Sequence, residues 1–159
     1  MTEKILRIYL DNCCYNRPYD DQSQIRISLE AQAKIFIQNV IRYGKIELAT
    51  SYILAYENNR NPHYANRIRI GNFIKNFTSV FIDIDQVDEV ISMAAEIMKS
   101  GLKEMDASHI ACAIKADCDY FLTTDDRILK YRNDKIEIMN PIEFLKVLEV
   151  TQNVQHNGR

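Results

Sequence analysis

The chain has 159 residues, the size of one domain, and at that length roughly 68 to 70% of the unfolded chain's surface can be buried, so no disulfide framework or structural metal is needed for stability. Hydrophobic residues make up 47% and charged residues 26%, which excludes disorder and a coiled coil. Lys plus Arg number 20 against 22 Asp plus Glu, a formal net charge of −2, which excludes nucleic-acid binding by bulk positive charge and leaves only a local basic groove open.

Met1 to Leu10 lacks a continuous apolar stretch and a small-residue cleavage site, so it does not read as a signal peptide. No apolar run approaches the roughly 18 residues of a membrane span. Ile5 to Leu10 is a short β-prone run ending at Asp11 and reads as a buried first strand. Asn16-Arg17-Pro18 breaks the chain, and Asp20, Asp21 and Ser23 offer N-caps for a helix to Arg42, where Ile25, Leu29, Ala33, Phe36, Ile37, Val40 and Ile41 recur at helical spacing. Ile46 to Ala49 reads as a strand, Ser51 to Asn58 as a helix interrupted by Asn61-Pro62, and Tyr64 to Asn76 as another helix. Ser79 to Ile84 is a strand, and Asp85 is placed to cap a helix from Val87 to about Lys99, stopped by Gly101. Asp106 opens a helix through Ala116; Tyr120 to Thr123 is a strand and Arg127 to Tyr131 a helical turn. Ile136 to Met139 is the last strand, and Pro141 begins a closing helix to about Leu148. The polar stretch Thr151 to Arg159 is expected to fray, which leaves a single domain over residues 1–150.

Strands alternating with helices imply a three-layer α/β/α sandwich on a mostly parallel sheet, with ligands beyond the carboxyl ends of the strands. The cysteines, Cys13, Cys14, Cys112 and Cys118, lack paired C-x-x-C spacing, so reduced, partly buried thiols in a cytoplasmic protein are expected.

Two strands stop on an acid: Ile8-Tyr9-Leu10-Asp11, and Phe121-Leu122-Thr123-Thr124-Asp125-Asp126. Asp106 falls in the first turn of a helix and Glu57 near the end of another. Two carboxylates about 4 Å apart repel by about 4 kcal/mol at an effective dielectric of about 20. Gathering several in one pocket therefore requires protonation, basic partners or a divalent cation. Arg17 and Arg127 are the only bases nearby in sequence, which favours a hard, oxygen-seeking ion such as Mg²⁺ or Mn²⁺. Taken singly, each acid is better explained as a cap or turn former, and the inference of a site rests on their convergence.

Ile8-Tyr9-Leu10-Asp11, Ser51-Tyr52-Ile53-Leu54-Ala55-Tyr56-Glu57, Met105-Asp106-Ala107-Ser108-His109-Ile110-Ala111-Cys112-Ala113 and Phe121-Leu122-Thr123-Thr124-Asp125 occur in that order. This succession resembles the PIN-domain nucleases, which include the VapC-like toxins, and the likeness runs from about Ile5 to Leu148. The segment from Asp11 to Gln22 further resembles a subgroup of bacterial PIN proteins. The resemblance implies a metal-dependent ribonuclease that hydrolyses RNA phosphodiesters with Mg²⁺ or Mn²⁺. It implies Asp11, Glu57, Asp106 and Asp125 as catalytic and metal-binding residues, Asp126 as the alternative to Asp125, and Thr123 and Asn12 as groups supporting them. Cys13 departs from the Ser, Thr or Asn that many members carry shortly after the first Asp. The resemblance also implies an antitoxin partner, a homodimer and no membrane association. The competing reading is an inert PIN module that binds RNA or a protein without cutting.

Between Asn58 and Ile82 there is no acid, while Arg60, Arg67, Arg69 and Lys75 are interleaved with Tyr64, Phe73 and Phe77. With Arg17, these cations are the expected contacts to single-stranded RNA, although Ile70, Phe73, Ile74 and Phe77 also fit a helical core face. Acids concentrate between Asp83 and Asp126, which hold 11 of the 22, so charge is segregated. Asp83-Ile84-Asp85 superficially matches a D-x-D phosphatase signature, but it lies too late in the chain and reads as helix capping. His109, three residues after Asp106, reads as a packed, hydrogen-bonded histidine.

Overall fold

A computed structural model describes residues 4–157, with side chains described as far as Thr151. Residues 1–3, and Gly158 and Arg159 of the expected polar tail, lie outside the described residues. Strands β1 (Arg7–Leu10), β2 (Glu47–Ser51), β3 (Val80–Ile82), β4 (Tyr120–Leu122) and β5 (Glu137–Met139) form one sheet in the order β3-β2-β1-β4-β5. Every pairing in it is parallel. The helices are α1 (Asn12–Asn16), α2 (Ile25–Arg42), α3 (Tyr52–Asn59), α4 (Tyr64–Phe77), α5 (Val87–Met98), α6 (Glu104–Lys115), α7 (Asp126–Leu129) and α8 (Pro141–Asn157).

Side chains alternate across a strand, and the register turns that alternation into two cores. Tyr9 lies opposite Ala49 on one side and Phe121 on the other, and all three face a core completed by Val90, Ala94 and Ile97 of α5 and Ile110 of α6. Ile8, Leu10, Leu48 and Leu122 face the opposite core, with Ile37 and Ile41 of α2, Ile70 and Phe73 of α4, and Phe144 and Leu148 of α8. Central strands buried on both faces read as continuous apolar runs, as β1 does. The result is a three-layer α/β/α sandwich. No helix among the described residues is long and apolar enough to cross a membrane.

Local details depart from the sequence reading in four places. The segment after Asp11 forms the short helix α1, followed by a 3-10 turn over Arg17–Tyr19 that takes Pro18 in its first positions. None of Asp20, Asp21 and Ser23 caps α2. Gln24 holds the cap position without a side-chain bond, and Asp21 instead accepts from the Ser23 amide at 3.0 Å. Apolar packing does not mark the start of α2 either: Ile25 and Leu29, expected on its core face, are exposed, and burial begins at Glu30. Asp85 likewise lies inside a 3-10 turn, Ile84–Gln86, that Asp83 caps through the Ile84 amide at 2.7 Å. The closing helix, expected to stop near Leu148, continues through Asn157, since neither Gly nor Pro follows Pro141 before that point.

Chain order matters most at the centre. From β1 the chain moves outward to β2 and β3, then returns to lay β4 along the other side of β1. The reversal opens a crevice at the carboxyl ends of β1 and β4, the topological switch point at which open parallel sheets bind ligands.

Candidate active site

Asp11 follows the last residue of β1, and Asp125 lies three residues beyond β4. The two strand ends are stitched together by the Asp11 amide, which donates to the Leu122 carbonyl at 2.9 Å. Thr123, fully buried, joins the acids themselves: its hydroxyl donates to Asp11 Oδ2 at 2.8 Å and accepts from the Asp125 amide at 3.1 Å. Asp11 Oδ1 accepts from the Asn12 amide at 2.9 Å, so the carboxylate caps α1 and its orientation is fixed on both oxygens. Cys13 occupies the position where the sequence departs from the family pattern. Its thiol lies 3.4 Å from Asp11 Oδ2 and 3.5 Å from Thr123 Oγ1, and it accepts from the Thr124 amide at 3.4 Å.

A second network carries Glu57, and Asp106 lies in its electrostatic reach. Glu57 Oε1 is hydrogen-bonded to His109 Nε2. On its other side, His109 Nδ1 meets the Tyr9 hydroxyl at 2.6 Å, and that hydroxyl is 2.7 Å from Ser51 Oγ. Ser51 in turn caps α3 through the Leu54 amide, so the β2–α3 junction, the centre of β1 and the α6 helix meet at one imidazole. His109 is 1% exposed. Burial pushes its pKa down, yet the Glu57 bond and the charges of Asp11, Glu57 and Asp106 outweigh burial and hold it above the ordinary value. Asp106, three residues earlier in the first turn of α6, has its pKa raised, first by burial and then by the charges of Asp11 and Asp125. Asp11 and Asp125 therefore both act on Asp106, and Asp11, Glu57 and Asp106 all act on His109.

Their compensation is uneven. Arg127 lies 3.3 Å from Asp125 Oδ2 and, against an upward push from partial burial, holds the Asp125 carboxyl below its usual range. Glu57 has His109. Neither Asp11 nor Asp106 has a cationic partner among the salt bridges of the described residues. Among the described residues, no group of three or more Asp, Glu, His or Cys side chains is arranged to hold a metal ion. The donors are nevertheless carboxylates, two of which, Asp11 and Asp106, have no salt bridge among the described residues. This fits an ion of the Mg²⁺ type, which keeps several of its waters and uses only one or two carboxylates together with substrate phosphate.

The remaining predicted residues divide. Asp126 turns away from the other acids, 65% exposed at its side chain, with Oδ1 2.8 Å from Arg26. Arg17 is committed to Glu30 at 2.9 Å and to Asp20 at 3.1 Å. Arg60 donates to the Tyr56 hydroxyl at 2.7 Å, and Arg67 lies over the Tyr64 ring and donates to the Asn61 carbonyl at 3.1 Å. Arg69 and Lys75 are exposed on α4, while Phe73 belongs to the core and Phe77 packs against it. Sequence reasoning missed Glu30, which is fully buried and receives hydrogen bonds from Arg17, Arg26 and Asn140. Its only signal was an acid among the apolar positions of α2.

No family model matches the chain, and none of the curated proteins is a significant match. Among solved structures, the crystal structure of VapBC2 from Rickettsia felis bound to a DNA fragment from their promoter aligns with a TM-score of 0.52 at 12% identity. The alignment covers 85% of this chain and 98% of that one. At that identity the likeness is one of fold: the sandwich is PIN-like.

Proposed function

We propose that this protein is a divalent-metal-dependent endoribonuclease that hydrolyses RNA phosphodiesters, with Asp11, Asp106, Asp125 and Glu57 as its site. The observation that carries the reading is Thr123, whose single hydroxyl ties Asp11 to the Asp125 backbone at the switch point. A side chain placed there orients the Asp11 carboxylate and anchors the backbone of Asp125 beside it, which a merely structural pair of caps does not require. Asp11 and Asp106, the carboxylates without a salt bridge among the described residues, would hold Mg²⁺ or Mn²⁺, with Asp125 joining directly or through water. Asp126, paired with Arg26, is set aside in favour of Asp125.

When bound, such an ion offsets charge on the scissile phosphate and makes an attacking water more acidic. The protein's own part is positioning. Thr123 and the Asn12 amide lock Asp11, and the Tyr9–His109 link locks Glu57 Oε1 and leaves Oε2 to accept a proton from that water. Arg127, mostly exposed beside Asp125, is placed to meet phosphate entering the crevice.

The PIN-like fold shared with VapBC2 supports a further step, that the chain is the toxin of a type II toxin–antitoxin pair, acting in the cytoplasm as a homodimer that an antitoxin restrains. An apolar groove of about 710 Å³, with Tyr52, Tyr56, Ile84, Ile91 and Met105 among its walls, supports a protein partner.

Incubation with a mixed pool of structured and unstructured RNAs tests the reading. Cleavage is expected with Mn²⁺ or Mg²⁺, and neither in EDTA nor by Asp11→Asn. Wild-type cleavage by that variant would refute the assignment. No cleavage, no heat of Mn²⁺ binding and no melting shift at millimolar metal would support the inert module instead.

A further inference from the structure

A cavity of about 330 Å³ opens between α1, α2 and α4, and none of the four acids lines it. Apart from Tyr15 and Tyr19, its walls come from two stretches without a single acid, Ala31 to Ile46 and Asn58 to Ile82. Lys34 and Arg42 of α2 and Arg69 of α4 line it together, three positive charges with no opposing carboxylate. None of the three forms a salt bridge among the described residues.

Aromatic faces hold two of these cations in place. The Lys34 ammonium is 5.5 Å from the Tyr15 ring centroid and 5.6 Å from that of Phe73. The Arg42 guanidinium lies 5.7 Å from both Phe73 and Phe77. A guanidinium over a ring uses its face and leaves the N–H donors at its edge free for an anion. Lys34 is 5% exposed, and among the described residues its one hydrogen-bond acceptor is the Gln38 side-chain oxygen. Tyr15, also in the wall, has a buried hydroxyl with no hydrogen-bond partner among the described residues. Gln38, Asn72 and Asn76 add neutral polar groups.

A buried ammonium without a counter-charge is expensive, and burial lowers the Lys34 pKa to about 8. The arrangement makes sense when an anion completes it. Two forked guanidiniums and an ammonium match the geometry and charge of a phosphate better than those of a single carboxylate.

We propose that the cavity walled by Lys34, Arg42 and Arg69 is a binding site for a phosphate group, separate from the acidic crevice. Free phosphate, a mononucleotide and the RNA backbone share that chemistry. The assignment does not depend on the nuclease reading, because it uses none of that site's residues.

Titration calorimetry on the full chain at constant ionic strength tests it, with inorganic phosphate, uridine monophosphate and a short single-stranded RNA as probes. Saturable binding of at least one probe is expected, weakened about tenfold or more by Arg42→Gln and by Lys34→Met and unchanged in Asp11→Asn. The probe that binds tightest identifies the source. Absence of saturable binding by all three, or binding that both cavity variants leave intact, overturns the proposal, as does displacement by an acidic peptide alone. A site lost in Asp11→Asn and retained in the cavity variants would place the phosphate in the acidic crevice and overturn it too.

Discussion

Replacing Lys34 with Met measures what a buried ammonium costs this fold. Burial lowers the Lys34 pKa from 10.5 to about 8, against a smaller upward pull from Cys14. Each tenfold change in proton affinity is worth about 1.4 kcal/mol, so below pH 8 the charge costs the folded protein about 3 kcal/mol relative to a hydrated lysine in the unfolded chain. Because the folded value lies below the unfolded one, the unfolded chain binds more protons between pH 8 and 10.5. Stability from this group therefore rises with pH across that window and is flat below it. Methionine fills a similar volume without charge but forgoes the ring contacts with Tyr15 and Phe73, about 1 kcal/mol together. The variant should be about 2 kcal/mol more stable than wild type at pH 7, and most of that gain should vanish by pH 10.5. Urea unfolding of both proteins at the two pH values, in phosphate-free buffer, gives the difference directly. A variant less stable at pH 7, or a difference independent of pH, would refute the reasoning. A more stable protein that has lost its phosphate site could not be dismissed as misfolded.

Other outcomes follow from the acidic crevice and its supports. Asp11→Asn should lower metal-dependent RNA cleavage about 100-fold or more while leaving the circular dichroism spectrum unchanged. Asp106→Asn removes a carboxylate that Asp11 and Asp125 oppose; in metal-free buffer its melting temperature should rise by about 2–4 °C, equivalent to about 1 kcal/mol, and calorimetry should find weaker Mn²⁺ binding. Thr123→Val leaves Asp11 Oδ2 and the Asp125 amide without their shared partner, so Mn²⁺ affinity by calorimetry should fall about 10- to 100-fold. Glu30→Ala strands Arg17 and Arg26 beside a buried hole and should cost about 3–5 kcal/mol in urea unfolding, whereas Asp126→Asn, breaking an exposed pair, should cost under about 1 kcal/mol.

Much of this site was legible before the fold was known, and for identifiable reasons. Asp11 and Asp125 end apolar runs, and a run that stops on an acid marks the point where a buried strand reaches solvent. His109 was readable as a packed, hydrogen-bonded histidine from its place beside Asp106, but not its partners, Tyr9 and Glu57, which lie 100 and 52 positions away. Arg17 and Asp126 looked available and are paired instead, because Arg26 and Glu30 reach them from α2 across gaps no local pattern encodes. The basic cavity was half visible: the acid-free stretch from Asn58 to Ile82 stood out, but no local pattern singled out Lys34 and Arg42 of α2.

Local composition and spacing determined the alternation of strands and helices, the carboxyl-end position of the acids and the parallel sheet, because hydrophobic period and chain punctuation act over a few residues. Tertiary structure alone decided which acid meets which partner. That choice depends on strand order, which sets β4 beside β1, and on register, which brings Thr123 to Asp11. Both are set by packing that sums over the whole chain, so no single segment carries them.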